Sequence, residues 1–270
     1  MNPKITVLMS VYNDEKYLQN SIDSILRQSF REFEFLIFED ASTDKSREIL
    51  ERYSKEDKRI RLILNDVNMG LSVNLAKGVQ IAKGAYIARM DADDIAFSNR
   101  LKLQYDYIYN NEIDILGSYV IDIDADNKEI GTRKVPISHE NIAKLIWSCP
   151  MIHPTVIFRK DAVLRAGSYN KNLRRRQDYE LWFRCLKANL KFENIPEPLL
   201  YYRHTNDYFK KNNYKVQLQQ LVMGIRGSLL TRSQPIAYVG IFVAFIKGIL
   251  PQKIRKPVNV LLKKYDPRNR

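Results

Sequence analysis

The apolar run Ala85-Tyr-Ile-Ala-Arg-Met ends in three carboxylates, Asp91, Asp93 and Asp94, and this junction constrains the chain more than any other. A short apolar run bounded in this way reads as a buried strand. Acids at its end lie where open α/β sheets bind ligands, beyond the carboxyl ends of the strands. Asp91 and Asp93 are hard oxygen donors that one turn can present to Mg2+ or Mn2+, with substrate phosphates completing the shell. Alone, an Asp-x-Asp is better explained by a solvated acidic turn, so the neighbouring segments decide.

Those segments alternate. Ile5–Met9 reads as a strand and Glu15–Gln28 as an amphipathic helix. Phe33–Phe38 is the next strand, followed by a helix from Ser42 or Thr43 to Ser54, a strand at Ile60–Leu64 and a helix at Leu71–Lys83. This spacing predicts βαβ crossovers, hence an α/β fold with a mainly parallel sheet and helices on both faces. Beyond it, Ile113–Ile123 suggests sheet, and Asp122–Lys128 a solvated turn without the Gly and distal Glu of a calcium loop. Pro154–Arg159 reads as a strand, Arg176–Leu190 as a helix and Leu199–Arg203 as a short strand.

Charge separates the carboxyl-terminal part from the rest. The net charge is +13, yet residues 208–270 hold thirteen Lys or Arg against one acid, Asp266. The first 207 residues are left with 31 basic and 30 acidic residues, so nucleic-acid binding by the body is not expected. Within the tail, 235–251 is apolar apart from Lys247. Fifteen helical residues reach only ~22 Å against ~30 Å for a bilayer core. The segment therefore reads as a helix lying in or on a membrane, with Lys253, Arg255, Lys256, Lys263 and Lys264 facing anionic headgroups. Packing on the body or on a second subunit, as a homodimer contact, is the alternative. The amino end lacks the apolar core of a signal peptide, and Cys149 and Cys185 show no metal-ligand spacing, so a reducing, cytosolic setting is expected.

Four polar segments follow the first four strands: Val11-Tyr12-Asn13, Glu39-to-Asp44, Asn68-Met-Gly70-Leu-Ser72 and Asp91/Asp93. All would converge on one sheet edge. Together with Arg100-Leu-x-x-Gln104, His153-Pro154, Gln177-Asp178-Tyr-Glu-Leu-Trp182 and Tyr202-Arg203-x-x-Asn206, they resemble the family 2 glycosyltransferases over about residues 4–207. The resemblance implies the GT-A nucleotide-diphospho-sugar fold over 1–207, as a donor-binding half (1–110) and an acceptor half (111–207), with 208–270 as a helical tail.

Further implications concern the site. Asp40 would bond the nucleobase, and Val11, Tyr12, Asn13, Glu39, Asn68, Gly70, Ser72, Arg89 and Ala92 would line the donor site. Asp93 would hold Mn2+ or Mg2+ against the diphosphate and Asp91 would reach the ribose or the metal shell, with His204 as a further contact to metal or diphosphate. Asp178 would be the catalytic base of an inverting displacement; from the sequence alone it is better read as a helix N-cap, and the resemblance reverses that reading. His153, Arg174, Arg175, Arg176, Gln177 and Arg203 are candidate acceptor or phosphate contacts. Two positions depart from the common family pattern: Glu39-Asp40-Ala41 replaces Asp-Asp-Gly, and Gln177 stands where Glu is usual.

The expectation is therefore a metal-dependent glycosyltransferase at the cytoplasmic membrane face. It would move a hexose or N-acetylhexosamine from a UDP-sugar to a glycan or polyprenyl-diphosphate-linked acceptor in bacterial surface polysaccharide assembly. A sugar nucleotidyltransferase is the rival enzyme, but Ser10-Val-Tyr-Asn-Asp14 supplies no Gly-rich basic loop. A non-catalytic nucleotide-sugar-binding module is the other rival.

Overall fold

The computed structural model describes residues 3–204 and 214–250. Asn206 and the basic residues from Lys253 onward lie outside the described residues. The first strands, β1 (Ile5–Val11), β2 (Phe33–Glu39), β3 (Ile60–Leu64) and β4 (Tyr86–Arg89), pair in parallel as β3-β2-β1-β4. The connecting helices are α1 (Glu15–Leu26), α2 (Ser46–Glu56) and α3 (Leu71–Ile81). Strand alternation divides the core. Ile5, Val7, Met9 and Val11 pack with Leu18 and Ile22 of α1 and Leu50 of α2 on one face. Leu8, Leu36 and Phe38 meet Leu75 and Val79 of α3 on the other.

The remaining elements are β5 (Ile95–Ala96), α4 (Arg100–Asn110), β6 (Ile115–Ile123), β7 (Glu129–Arg133), α5 (His139–Leu145), β8 (Ile157–Arg159), α6 (Lys160–Arg165), α7 (Gln177–Lys187) and β9 (Phe192–Arg203). Strand β8 pairs antiparallel with β4, and the sheet continues through β6 and β9 to β5, with β7 on β6 as a hairpin. Residues on both sides of position 110 thus share one mixed sheet. Two apolar helices, α8 (Tyr214–Leu230) and α9 (Pro235–Ile249), follow.

Several boundaries move for identifiable reasons. Helix α2 starts at Ser46 because the preceding N–H groups are already engaged: Ser42 by Glu39, Thr43 by Asn13 and Lys45 by Glu15. Helix α1 ends before Gln28, whose buried amide bonds the Ser24 and Phe97 carbonyls and accepts from the Leu101 N–H. Strand β9 begins seven residues before Leu199 because β6 beside it supplies hydrogen bonds across a register irregularity near Pro198.

Candidate active site

Strand register builds one edge. Val11 lies opposite Glu39, and Glu39 opposite Leu64, so three strands end level. The Met90 N–H donates to the Leu8 carbonyl, which delivers the acidic turn to the same edge.

The loops on this edge are tied by their own polar side chains. Asn13, at φ 57°, accepts the Thr43 N–H at 2.8 Å through Oδ1 and donates its own N–H to Ser42 Oγ. Buried Asp40 accepts from Asn65 Nδ2 (2.8 Å) and the Met69 N–H (2.9 Å) on Oδ1, and from the Gly70 N–H (2.9 Å) on Oδ2. Gly70 stands at φ 87°, a conformation glycine adopts without the strain a Cβ brings. Asp40 is thus the organiser of the 65–70 loop, with one Oδ2 lone pair left for a ligand. Buried Glu39 spends Oε1 on the Ser42 N–H, and its other oxygen has no hydrogen-bond partner among the described residues. Val11 and Ala92 are buried, and Tyr12 and Asn68 are exposed.

Three expected ligand contacts are engaged by the protein instead. The buried Ser72 hydroxyl donates to the Leu173 carbonyl, holding the segment that leads into α7. Arg203 is buried under the acidic turn, bonding the Asp93 and Asp124 carbonyls and lying over the Tyr17 ring. His204 Nε2 lies 3.0 Å from Asp122 Oδ1 and 2.9 Å from Arg133 Nη2. Among the described residues no three His, Cys, Asp or Glu side chains gather closely enough to hold a metal, so a triad of Asp91, Asp93 and His204 is not formed.

The acidic turn still suits a hard cation. Burial, and then the charges of Asp93 and Asp91, push the Asp94 carboxyl well above the ordinary carboxylate range. Three acids so close repel one another, which a divalent ion would relieve. Such an ion would take Asp91 and Asp93 as its protein ligands and need substrate or water oxygens for the rest.

Beyond this turn lies a cavity of about 470 Å³ lined by Leu71, Arg89, Asp91, Arg133, Lys134, Cys149, His153, Gln177, Asp178 and Tyr202, among others. Its two carboxylates differ. Asp91 is ion-paired with buried Arg89. Asp178, in the first turn of α7, is raised above the usual aspartate value by burial, and the backbone N–H of Tyr179 and the Arg176 charge pull it part of the way back. Cys149 Sγ lies 3.8 Å from Asp178 Oδ2. His153, bonded to the Tyr169 hydroxyl at 2.8 Å, is pushed well below its ordinary value by burial and then by Arg89, so it is neutral. Arg174, Arg175 and Arg176 precede α7 without lining the cavity.

Sequence reading missed Arg133, Lys134 and Cys149. The basic pair closes a hairpin strand, which is common surface chemistry, and Cys149 is aimed by a left-handed backbone at φ 54° that no motif announces.

Comparison with known proteins now bears on this geometry. Residues 6–180 match the family described as glycosyl transferase family 2. The chain is 38% identical over 225 residues to the uncharacterized glycosyltransferase MJ1057 of Methanocaldococcus jannaschii, covering 81% of this chain and 75% of that protein. It is 32% identical over 214 residues to the O-antigen biosynthesis glycosyltransferase WbnJ of Escherichia coli, covering 77% and 82%. Among solved structures, S. aureus TarS 1–349 in complex with UDP-GlcNAc superposes with a TM-score of 0.68 at 16% identity, over 92% of this chain and 82% of that one. The mannosyltransferase PcManGT of Pyrobaculum calidifontis, in complex with GDP-Man and Mn2+, gives 0.66 at 15%, over 99% and 82%. An acid-tipped parallel edge, the GT-A-like fold and the family match agree: this chain belongs to glycosyl transferase family 2 and is a glycosyltransferase.

Proposed function

We propose that the enzyme transfers a hexose or N-acetylhexosamine from a nucleotide-diphospho-sugar, UDP-linked, to a hydroxyl of a glycan or lipid-linked acceptor, inverting the anomeric centre. The observation that carries this reading is the pairing of a half-buried carboxylate, Asp178, with the metal-type acid Asp91 in one cavity. Asp91 is ion-paired with Arg89, whereas burial raises the proton affinity of Asp178. Asp178 would take the acceptor proton as that oxygen attacks the anomeric carbon. The bond to the diphosphate breaks and its electron pair leaves with the nucleotide. One base and one displacement give inversion.

When bound, a divalent cation at Asp91 and Asp93 supplies charge neutralisation to the departing diphosphate. The loops around Asn13 and Asp40 would take the nucleoside, with the Tyr12 ring against the base and the free Oδ2 lone pair of Asp40 accepting from it. A relative named for O-antigen biosynthesis, 32% identical over most of both chains, supports a role in surface polysaccharide assembly.

The test is a panel of UDP-, GDP- and dTDP-sugars with Mn2+ or Mg2+, read by nucleotide release with and without lipid-linked acceptors. Metal-dependent UDP release from one donor is expected. Silence across the panel, together with no nucleotide binding by calorimetry, would sink the reading.

A further inference from the structure

Helix α9 keeps one side for the protein and turns another outward. Ala237 and Ile241 are buried, and Gly240 sits so close to Trp147 that a Cβ there would lie 2.1 Å from the indole ring. Outward, Ile236, Val239, Phe242, Val243, Ile246 and Ile249 recur at helical spacing and are each 41–63% exposed. Helix α8 sets Gly224 against Tyr179 and Gly227 against Phe183, and exposes Leu218, Val222, Ile225 and Leu229, of which Leu218 and Val222 also line a cavity of about 750 Å³ against α7. Glycine contacts thus seat α8 on α7 and α9 on Trp147, and the outward apolar face of α9 takes no part in the core. A patch of this kind marks an interaction surface.

Charge decides the partner. Residues 214–250 contain Lys215, Arg226, Arg232 and Lys247 and no acid, and 208–270 as a whole holds thirteen basic residues against one acid. A symmetric contact with a second copy sets the same patch against itself and so opposes like charges. An anionic lipid surface neutralises them instead. No described helix is long and apolar enough to cross a membrane, so the face is suited to lying on one.

We propose that the outward face of α9, continued by α8, docks on an anionic bilayer with its apolar side chains at the headgroup boundary. The face is linked to the candidate base: the Trp147 carbonyl beneath Gly240 accepts the Tyr179 hydroxyl at 2.6 Å, and Tyr179 follows Asp178 in α7. Docking therefore fixes the orientation of the cavity to the membrane. This deepens, and for its purpose rests on, the reading of a lipid-linked acceptor.

The full chain would be sedimented with phosphatidylcholine vesicles, with and without phosphatidylglycerol, at low and high salt. Phosphatidylglycerol should strengthen binding by roughly tenfold or more, and salt should weaken it. Val239→Asp and Phe242→Glu, both at exposed positions, should each cut binding by a similar factor with an unchanged melting temperature. UDP binding by calorimetry should persist in both variants, so loss of docking is distinguishable from failure of the glycosyltransferase reading. Equal binding with and without phosphatidylglycerol, or binding that neither variant weakens, overturns the proposal. So does a dimer in light scattering that the variants split while vesicle binding is unchanged.

Discussion

Arg203 donates from Nε to the backbone carbonyl of Asp93 at 2.7 Å, so the last residue of β9 fixes the acidic turn from beneath. The Arg203 N–H also donates to Asp94 Oδ1 at 2.9 Å, and its Nη1 reaches the Asp124 carbonyl at 3.0 Å. Strand β9, the acidic turn and the hairpin after β6 are joined through one guanidinium. Arg203→Met leaves the Asp93 and Asp124 carbonyls without their donor, and each buried polar group left unsatisfied costs about 1–3 kcal/mol. A lowered urea midpoint, with metal-dependent turnover reduced further than stability explains, is the expected result.

Asp178→Asn separates function from stability. The folded-state pKa of Asp178 is raised, chiefly by burial. A raised carboxyl contributes stability below its unfolded value, and that contribution is lost as pH rises through the folded value. At neutral pH the ionised form is therefore a cost, which Asn removes. Differential scanning calorimetry should show a higher melting temperature for the variant at pH 7, with the difference shrinking toward pH ~4. Turnover should fall by about 10²-fold or more.

The same shift sets the acidic limb of the wild-type pH–rate profile. Catalysis requires Asp178 deprotonated, so kcat/KM should fall as pH drops through a pKa above the ordinary aspartate value of about 3.9. A limb at or below that value would remove Asp178 from the role of base.

Asp40→Ala leaves the Asn65, Met69 and Gly70 donors without their acceptor. Each unsatisfied buried donor costs about 1–3 kcal/mol, less where water enters. Thermal unfolding should show a loss of about 3 kcal/mol, and calorimetry weaker nucleotide binding, because the 65–70 loop is no longer held. Unchanged stability would contradict the organising role.

Metal dependence gives a further check. Chelation should abolish nucleotide release, and added Mn2+ should restore it. Asp93→Asn should raise the Mn2+ concentration needed for half-maximal rate, since one of two hard anionic donors is lost. Full activity in chelator would exclude a metal role for the acidic turn.

The sequence by itself determined the parallel half of the sheet, because alternating apolar runs and amphipathic segments leave few other ways to bury both strand faces. It also determined the four polar segments, since the carboxyl ends of parallel strands face one edge whatever the helices do. Only the tertiary structure decided what each side chain on that edge does. Ser72, Arg203 and His204 have the residue types of ligand contacts, yet each is engaged by a group remote in sequence: the Leu173 carbonyl, the Asp93 carbonyl and the Asp122–Arg133 pair. Cys149 and Lys134 came to line the cavity the same way, through a left-handed turn and a hairpin end whose positions depend on packing between distant segments. Local pattern fixes which residues can reach an edge, and long-range packing fixes which of their hydrogen bonds are already used.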